Sequence, residues 1–204
     1  MAFGVDNEVT AIDLDVIPIA FDLKSYISLL RENGTMRTVK TVARKRLGID
    51  RHFARTMRRH LGVEKLRPGR QLRMDASLMT FEDASFDVVC SFSVFDHLPD
   101  PESVLREAQR VLRPGDVLSI SWHLYSSEGG CHDLRIFSGD RQAVPYWAQL
   151  RPSEKHLVIE SCSMNEWRLD RIREIHGRCC PGTDFALDVN HEPYGTILRN
   201  ELAR

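Results

Sequence analysis

Asp13 and Asp75 each close a short apolar run, and both stand where a carboxylate can do recognition chemistry. In an open parallel sheet, ligands bind outside the carboxyl ends of the strands. A carboxylate at such an end, from Asp13 or Asp15, can accept hydrogen bonds from both hydroxyls of a ribose. Asp75 is followed by Ala76, whose small side chain leaves room for a flat ring. Two further runs end in Ser91, Phe92 and Ser93, and in Trp122, His123 and Tyr125. The plain alternative for both aspartates is a turn or capping role. Proton transfer needs a group that titrates near neutrality or a carboxylate. His97, His123, His132 and Asp133 are the candidates, with His123 best placed, just past a strand end, and His132 next in a long loop. Sequence adjacency does not make the side chains of His132 and Asp133 meet. The cysteines, Cys90, Cys131, Cys162, Cys179 and Cys180, show no CxxC spacing, and vicinal cysteines chelate poorly. The spacing therefore predicts no metal site, and Cys90 reads as a small core residue.

Those residues need a frame. Residues 9–15 (VTAIDLD) read as a buried parallel strand, 71–74 as a short strand, 86–92 (FDVVCSF) as a strand, and 117–122 as another. Between the last two, residues 101–112 read as an amphipathic helix. Asp100 would cap it, and Val104, Leu105, Ala108, Val111 and Leu112 form one stripe. Arg113, Pro114 and Gly115 would end it. Strand, helix, strand in that order implies a βαβ unit and a mostly parallel α/β sheet. Residues 21–61 read as helices, interrupted at Gly34 and closed by Gly62, with Asp50 as an N-cap. Residues 125–152 are loop-rich, 165–176 read as a helix, 184–189 as a strand, and 194–204 as a helix or tail.

The ordered set Met74-Asp75-Ala76, Phe81, Ser85-Phe86-Asp87-Val88-Val89, His97-Leu98-Pro99-Asp100-Pro101, Val104-Leu105-Arg106-Glu107 and Arg110-Val111-Leu112-Arg113-Pro114-Gly115 resembles class I S-adenosylmethionine-dependent methyltransferases, of the methyltransferase type 11-like domain. Asp116 stands where that family usually has a second glycine. The resemblance implies a Rossmann-like methyltransferase sheet and S-adenosyl-L-methionine as cofactor. It further implies that Asp13 holds the ribose hydroxyls, that Asp75 contacts the adenine amino group with Ala76 beside the ring, and that Ser91 and Phe92 line the methionine part. It gives the histidine at 97 a structural role at a helix start. In that family a first strand and a glycine-rich loop precede the segment matching Val9, where residues 1–8 stand here. The expectation is thus a sheet lacking its first, central strand, with an open slot, in a chain truncated before the glycine-rich motif that binds cofactor poorly.

Residues 1–204 are expected to form a single methyltransferase-like domain with a helical insert at 20–62. The formal net charge is -1, but residues 37–73 hold thirteen Lys or Arg against two acids, a local +11. A solvated cap over a cofactor cleft and a surface for an anionic acceptor are both open readings. With Phe53 as the segment's one aromatic, base stacking has little to work with, so nucleic acid is not the expected partner. There is no apolar run near the roughly 18 residues of a membrane span, and no signal-peptide pattern. An odd cysteine count without a disulfide framework fits a cytoplasmic protein. Two functions stay open: methyl transfer to a small-molecule or glycan-type acceptor, and a non-catalytic binding or scaffold remnant of the fold.

Overall fold

A computed structural model describes residues 3–4, 6–15, 23–138 and 142–186. The chain divides into two compact units, Met1–Val89 with Ser103–Leu118, and Cys90–Glu102 with Ser119–Arg204.

The first unit begins with strands β1 (Phe3–Gly4) and β2 (Thr10–Asp13), then helices α1 (Leu23–Arg46) and α2 (Ile49–Leu61), then strands β3 (Arg67–Pro68) and β4 (Arg70–Arg73). β1 pairs antiparallel with β3. β2 pairs parallel with β4, with Thr10 opposite Arg70 and Asp13 opposite Arg73. The apolar run 9–15 stops being a strand at Asp13 because the Asp13 side chain turns the chain, accepting from the Asp15 amide at 2.9 Å. Gly34 interrupts α1 with φ 79°, in the left-handed region that favours glycine. Gly62 ends α2 in the same region, φ 65°, as its position predicts. Asp50 is not the N-cap. The cap position falls on Gly48, φ 70°, and Asp50 sits in the first turn, paired with Arg44 Nε at 3.0 Å.

β5 (Phe86–Phe92), α3 (Pro101–Val111) and β6 (Leu112–Ser121) follow. The hydrogen bonds from Ser85 N to Val111 O and from Ser93 N to Ser121 O advance the same way along both strands, as in a parallel pair. The βαβ order read from the sequence therefore holds. The α3 stripe is buried at Val104, Leu105, Ala108 and Val111, while Leu112 already begins β6. Arg113, Pro114 and Gly115 lie within that strand, Gly115 at φ 89°. The β2–β4 and β5–β6 pairs belong to separate two-stranded sheets. The split explains a failed expectation. Cys90 is exposed, and Val88 and Val117 are over half exposed. Parallel strands are buried on both faces only when other layers cover them.

A side-chain clamp holds the segment after β4 on α3. Arg110 donates to the carbonyls of Met79 and Phe81, each at 2.9 Å, and to Asp83 Oδ1 at 2.6 Å. Glu107 takes two more Arg110 N–H groups at 2.8 Å and the Met79 amide at 2.8 Å. The Arg110 guanidinium, helped by the Met79 amide, holds the Glu107 carboxyl below its ordinary range. A depressed carboxylate stabilises the fold above its unfolded value and loses that contribution as pH falls through the folded one. Glu107→Gln should lower stability by about 1–2 kcal/mol near neutrality. The deficit should shrink toward acid pH; urea melts at neutral and acid pH check it, and an equal deficit at both would contradict the clamp.

The second unit carries a 3-10 turn at Phe95–His97, helix α4 (Leu134–Phe137), 3-10 turns at Ala148–Leu150 and Lys155–Leu157, and helix α5 (Leu169–Cys179). Cys131, Ile136, Val144 and Ala148 form a buried cluster. α5 begins at Leu169 rather than 165 because Asn165 is occupied elsewhere: its Nδ2 donates to Phe95 O at 2.6 Å and Leu98 O at 3.0 Å. Residues 184–186 form no strand, and the rest of the expected strand, with the 194–204 segment, lies outside the described residues.

Candidate functional site

Asp13 and Asp75 stand at the carboxyl ends of adjacent parallel strands, joined through the Met74 amide, which donates to Asp13 O at 2.9 Å. Both are exposed, and both act in turns. Asp75 Oδ1 accepts from the Ser77 amide at 2.8 Å and the Ser77 hydroxyl at 2.7 Å. Those bonds, the amide first, hold the Asp75 carboxyl below its ordinary value. Ala76 is half-buried beside it. The turn role noted as the plain alternative is thus present at both aspartates, and it engages Oδ1 in each. In the second unit, Ser91 is half-buried and Phe92 exposed at the end of β5.

The second unit also gathers the histidines. β6 ends at Ser121, so His123 follows a strand end, as read from the sequence. A tight turn then brings the chain back. Ser127 N donates to Leu124 O, Gly130 N to Ser127 O, and His132 N to Gly129 O. Gln149 pins this turn from outside, donating to Tyr125 O at 3.2 Å and Ser127 O at 2.8 Å. Gly130 is required by space: a Cβ there would lie 2.3 Å from Tyr125 O and 2.5 Å from Leu124 O. His132 itself is held at φ 50°, with its carbonyl taking the Ser161 hydroxyl at 2.6 Å.

As a result His123 Nδ1 and His132 Nε2 meet at 2.9 Å. Behind His123, Ser127 Oγ lies 2.8 Å from Nε2; behind His132, Cys162 Sγ lies 3.5 Å from Nδ1. Asp96 comes in from the 3-10 turn, 1% exposed, with Oδ2 3.4 Å from His132 Nε2 and 3.5 Å from His97 Nε2. Among the described residues, neither Asp96 oxygen accepts a hydrogen bond. Burial first, then the neighbouring His123, holds the His132 imidazole below its ordinary value against the pull of Asp96. His97 Nδ1 lies 3.1 Å from Ser163 O, and its ring packs edge-on to that of His132. Phe95, Trp122 and Trp167 stack in sequence beside the cluster.

Asp133 takes no part in it. Its carboxylate is buried and spent on the Arg135 amide, the Arg135 guanidinium and the Ile159 amide. The Arg135 bonds, chiefly, hold it down to about 2. A carboxylate so engaged has no free lone pair for an incoming proton, which removes Asp133 from the base candidates. Asp96, Ser127 and Cys162 were not singled out by the sequence. Asp96 carries no signal beyond its place beside His97, and the other two act only through folding of the 125–162 stretch.

Residues 34–120 match the methyltransferase domain family. A Mycobacterium sp. (strain JLS) protein named an uncharacterized methyltransferase is 33% identical over 90 residues, 43% of this chain and 36% of that protein. The 27-O-demethylrifamycin SV methyltransferase of Amycolatopsis mediterranei (strain S699) is 48% identical over 46 residues, 22% of this chain and 17% of that one. The chain thus spans about a third of the length of the first of these relatives. Among solved structures, the YcgJ protein of Bacillus subtilis aligns over 84% of this chain and 51% of its own, with 16% identity and a TM-score of 0.36. An S-adenosylmethionine-dependent methyltransferase of Thermotoga maritima aligns over 54% of this chain and 45% of its own, with 18% identity and the same score, 0.36.

Proposed function

From a chain whose residues 34–120 match the methyltransferase domain family, we propose an S-adenosylmethionine-dependent methyltransferase that acts on a small-molecule or glycan-type acceptor. The family match is the observation that carries the reading. A rifamycin methyltransferase among the relatives supports a small-molecule acceptor. The cofactor supplies a methyl group already activated on a sulfonium, so the protein's work is positioning.

Asp13 would hold the ribose hydroxyls and Asp75 the adenine amino group, with Ala76 against the ring. The donor chemistry fits: both carboxylates are exposed at one end of a parallel pair, and both are acceptors for hydroxyl and amino protons. Ser91 and Phe92 would line the methionine part. On the acceptor side His123 and His132, joined at 2.9 Å, are the groups that would take a proton from a hydroxyl or amine. The basic stretch of α1 and α2, which includes Arg44, Lys45, Arg46, Arg51, Arg55, Arg58 and Arg59, suits an anionic acceptor.

A second reading is a non-catalytic scaffold that keeps the fold. The split of β2–β4 and β5–β6 into separate sheets favours it. Calorimetric titration of the chain with S-adenosylmethionine separates the two. The first predicts saturable binding that Asp75→Ala weakens about fivefold, the worth of one hydrogen bond, while Glu82→Ala leaves it unchanged. Absence of binding at millimolar cofactor would favour the scaffold, and equal affinities in both variants would leave Asp75 a turn residue only.

A further inference from the structure

We infer that Asp96, His123 and His132 form a binding site for one divalent first-row transition ion of the zinc class. The site uses the two histidines that the proposed function sets on the acceptor side, with the ion in place of their proton, and it departs from the metal-free expectation drawn from cysteine and histidine spacing. One ligand atom from each residue lies within 4.8 Å of the other two. The separations are 2.9 Å between His123 Nδ1 and His132 Nε2, and 3.4 Å between His132 Nε2 and Asp96 Oδ2. Ligands at about 2.0–2.1 Å in a tetrahedron stand roughly 3.3 Å apart. Two of the three separations therefore lie within a few tenths of an ångström of that spacing, and the third, from His123 to Asp96, is within 4.8 Å.

Two independent features point to a cation there. Asp96 is 1% exposed, yet among the described residues neither of its oxygens accepts a hydrogen bond, and only the imidazoles of His132 and His97 stand within 3.4–3.5 Å of Oδ2. A buried carboxylate without donors is costly unless a positive charge meets it. The second feature is behind the ligands. Ring nitrogens that bind an ion have their opposite nitrogens engaged, which fixes the tautomer. His123 Nε2 is engaged by Ser127 Oγ at 2.8 Å, and His132 Nδ1 faces Cys162 Sγ at 3.5 Å. With those outer nitrogens protonated, the two inner ones turn lone pairs toward each other and toward the Asp96 carboxylate. A cation in that space would accept the lone pairs of both inner nitrogens. Two imidazoles and one carboxylate suit zinc, cobalt or nickel, and suit magnesium badly. Three protein ligands leave a coordination position open, as in ion sites that bind an exchangeable ligand.

Zinc(II) alone is the probe, titrated calorimetrically into the chelator-treated protein, with X-ray absorption on the loaded form. One equivalent is expected to bind at micromolar Kd or tighter, with a first shell of nitrogen and oxygen and no sulfur. Cobalt(II) should bind in its place with visible bands, and millimolar magnesium should not compete. His123→Ala and His132→Ala should each weaken binding more than about a hundredfold, and Ser127→Ala, behind the ligand, about tenfold. His156→Ala, on the exposed turn, should change nothing. Because Asp96 is buried, the absorption spectrum of the unsubstituted protein is the measurement that does not depend on a variant folding. A sulfur in the first shell would move the ion to the His97, His132 and Cys162 grouping and overturn the assignment. So would magnesium competition, a Kd weaker than millimolar, or full binding by His123→Ala.

Discussion

Gly130→Ala should lower stability by about 3 kcal/mol, the upper end of what overpacking costs. The atoms in the way are the Tyr125 and Leu124 carbonyl oxygens, at 2.3 and 2.5 Å from an added Cβ. Backbone cannot swing aside as a side chain end can, so the turn must open. Opening it breaks the Gly130 N to Ser127 O bond and moves Ser127 O away from Gln149 Nε2. It also separates His123 from His132, since the turn is what returns the chain to place them 2.9 Å apart. The neighbour supplies the control. At Gly129 an added Cβ would meet only His123 Cε1, at 3.8 Å, an ordinary contact. Gly129→Ala should then stay within about 0.5 kcal/mol. Thermal or urea unfolding of the two variants is the check. Similar losses in both would mean the turn is looser than its geometry indicates.

What could be read from the sequence follows from the range of the forces involved. The α3 stripe, the β5–α3–β6 order, the break at Gly34 and the cap at Gly62 are set by periodicity and by backbone conformation, which act over a few residues. Asp13 and Asp75 were legible as strand-end acids for the same reason. The pairing of His123 with His132 was not, because it depends on a turn whose closure needs Gly130 to be small and Gln149 to reach back across more than twenty residues. Asp96 was invisible for a further reason. Burial sets an ordinary carboxylate where no described residue donates a hydrogen bond to it, and burial is a property of the packed unit. Cys90 shows the opposite error: an apolar run predicts a buried strand, but a two-stranded sheet leaves that residue exposed.

Asp133 invites a mistaken role and supports a sharp test. Lying next to His132, it looks like the orienting acid of a catalytic pair, and in the structure its carboxylate is engaged by Arg135 and the Ile159 amide instead. Its oxygens take four hydrogen bonds: from the Arg135 amide and Nε, each at 3.0 Å, from Arg135 Nη2 at 2.6 Å, and from the Ile159 amide at 2.8 Å. Arg135 Nη2 also reaches Leu157 O at 2.7 Å. One buried carboxylate thereby ties the start of α4 to the 157–159 strand of loop. Asp133→Ala removes the acceptor of four hydrogen bonds, three from Arg135 and one from the Ile159 amide. Breaking such a pair from one side typically costs about 3–5 kcal/mol. The Arg135 side chain is 32% exposed, so water recovers part of its loss and the lower end, about 3 kcal/mol, is expected. Asp133→Asn keeps one oxygen acceptor and the shape, and should cost less than the alanine variant. The distinguishing readout is zinc affinity measured below the melting transition. If Asp133 only braces the loop, the asparagine variant should hold zinc as well as the unsubstituted protein while melting lower. A loss of affinity with unchanged melting would instead make Asp133 part of the His132 cluster.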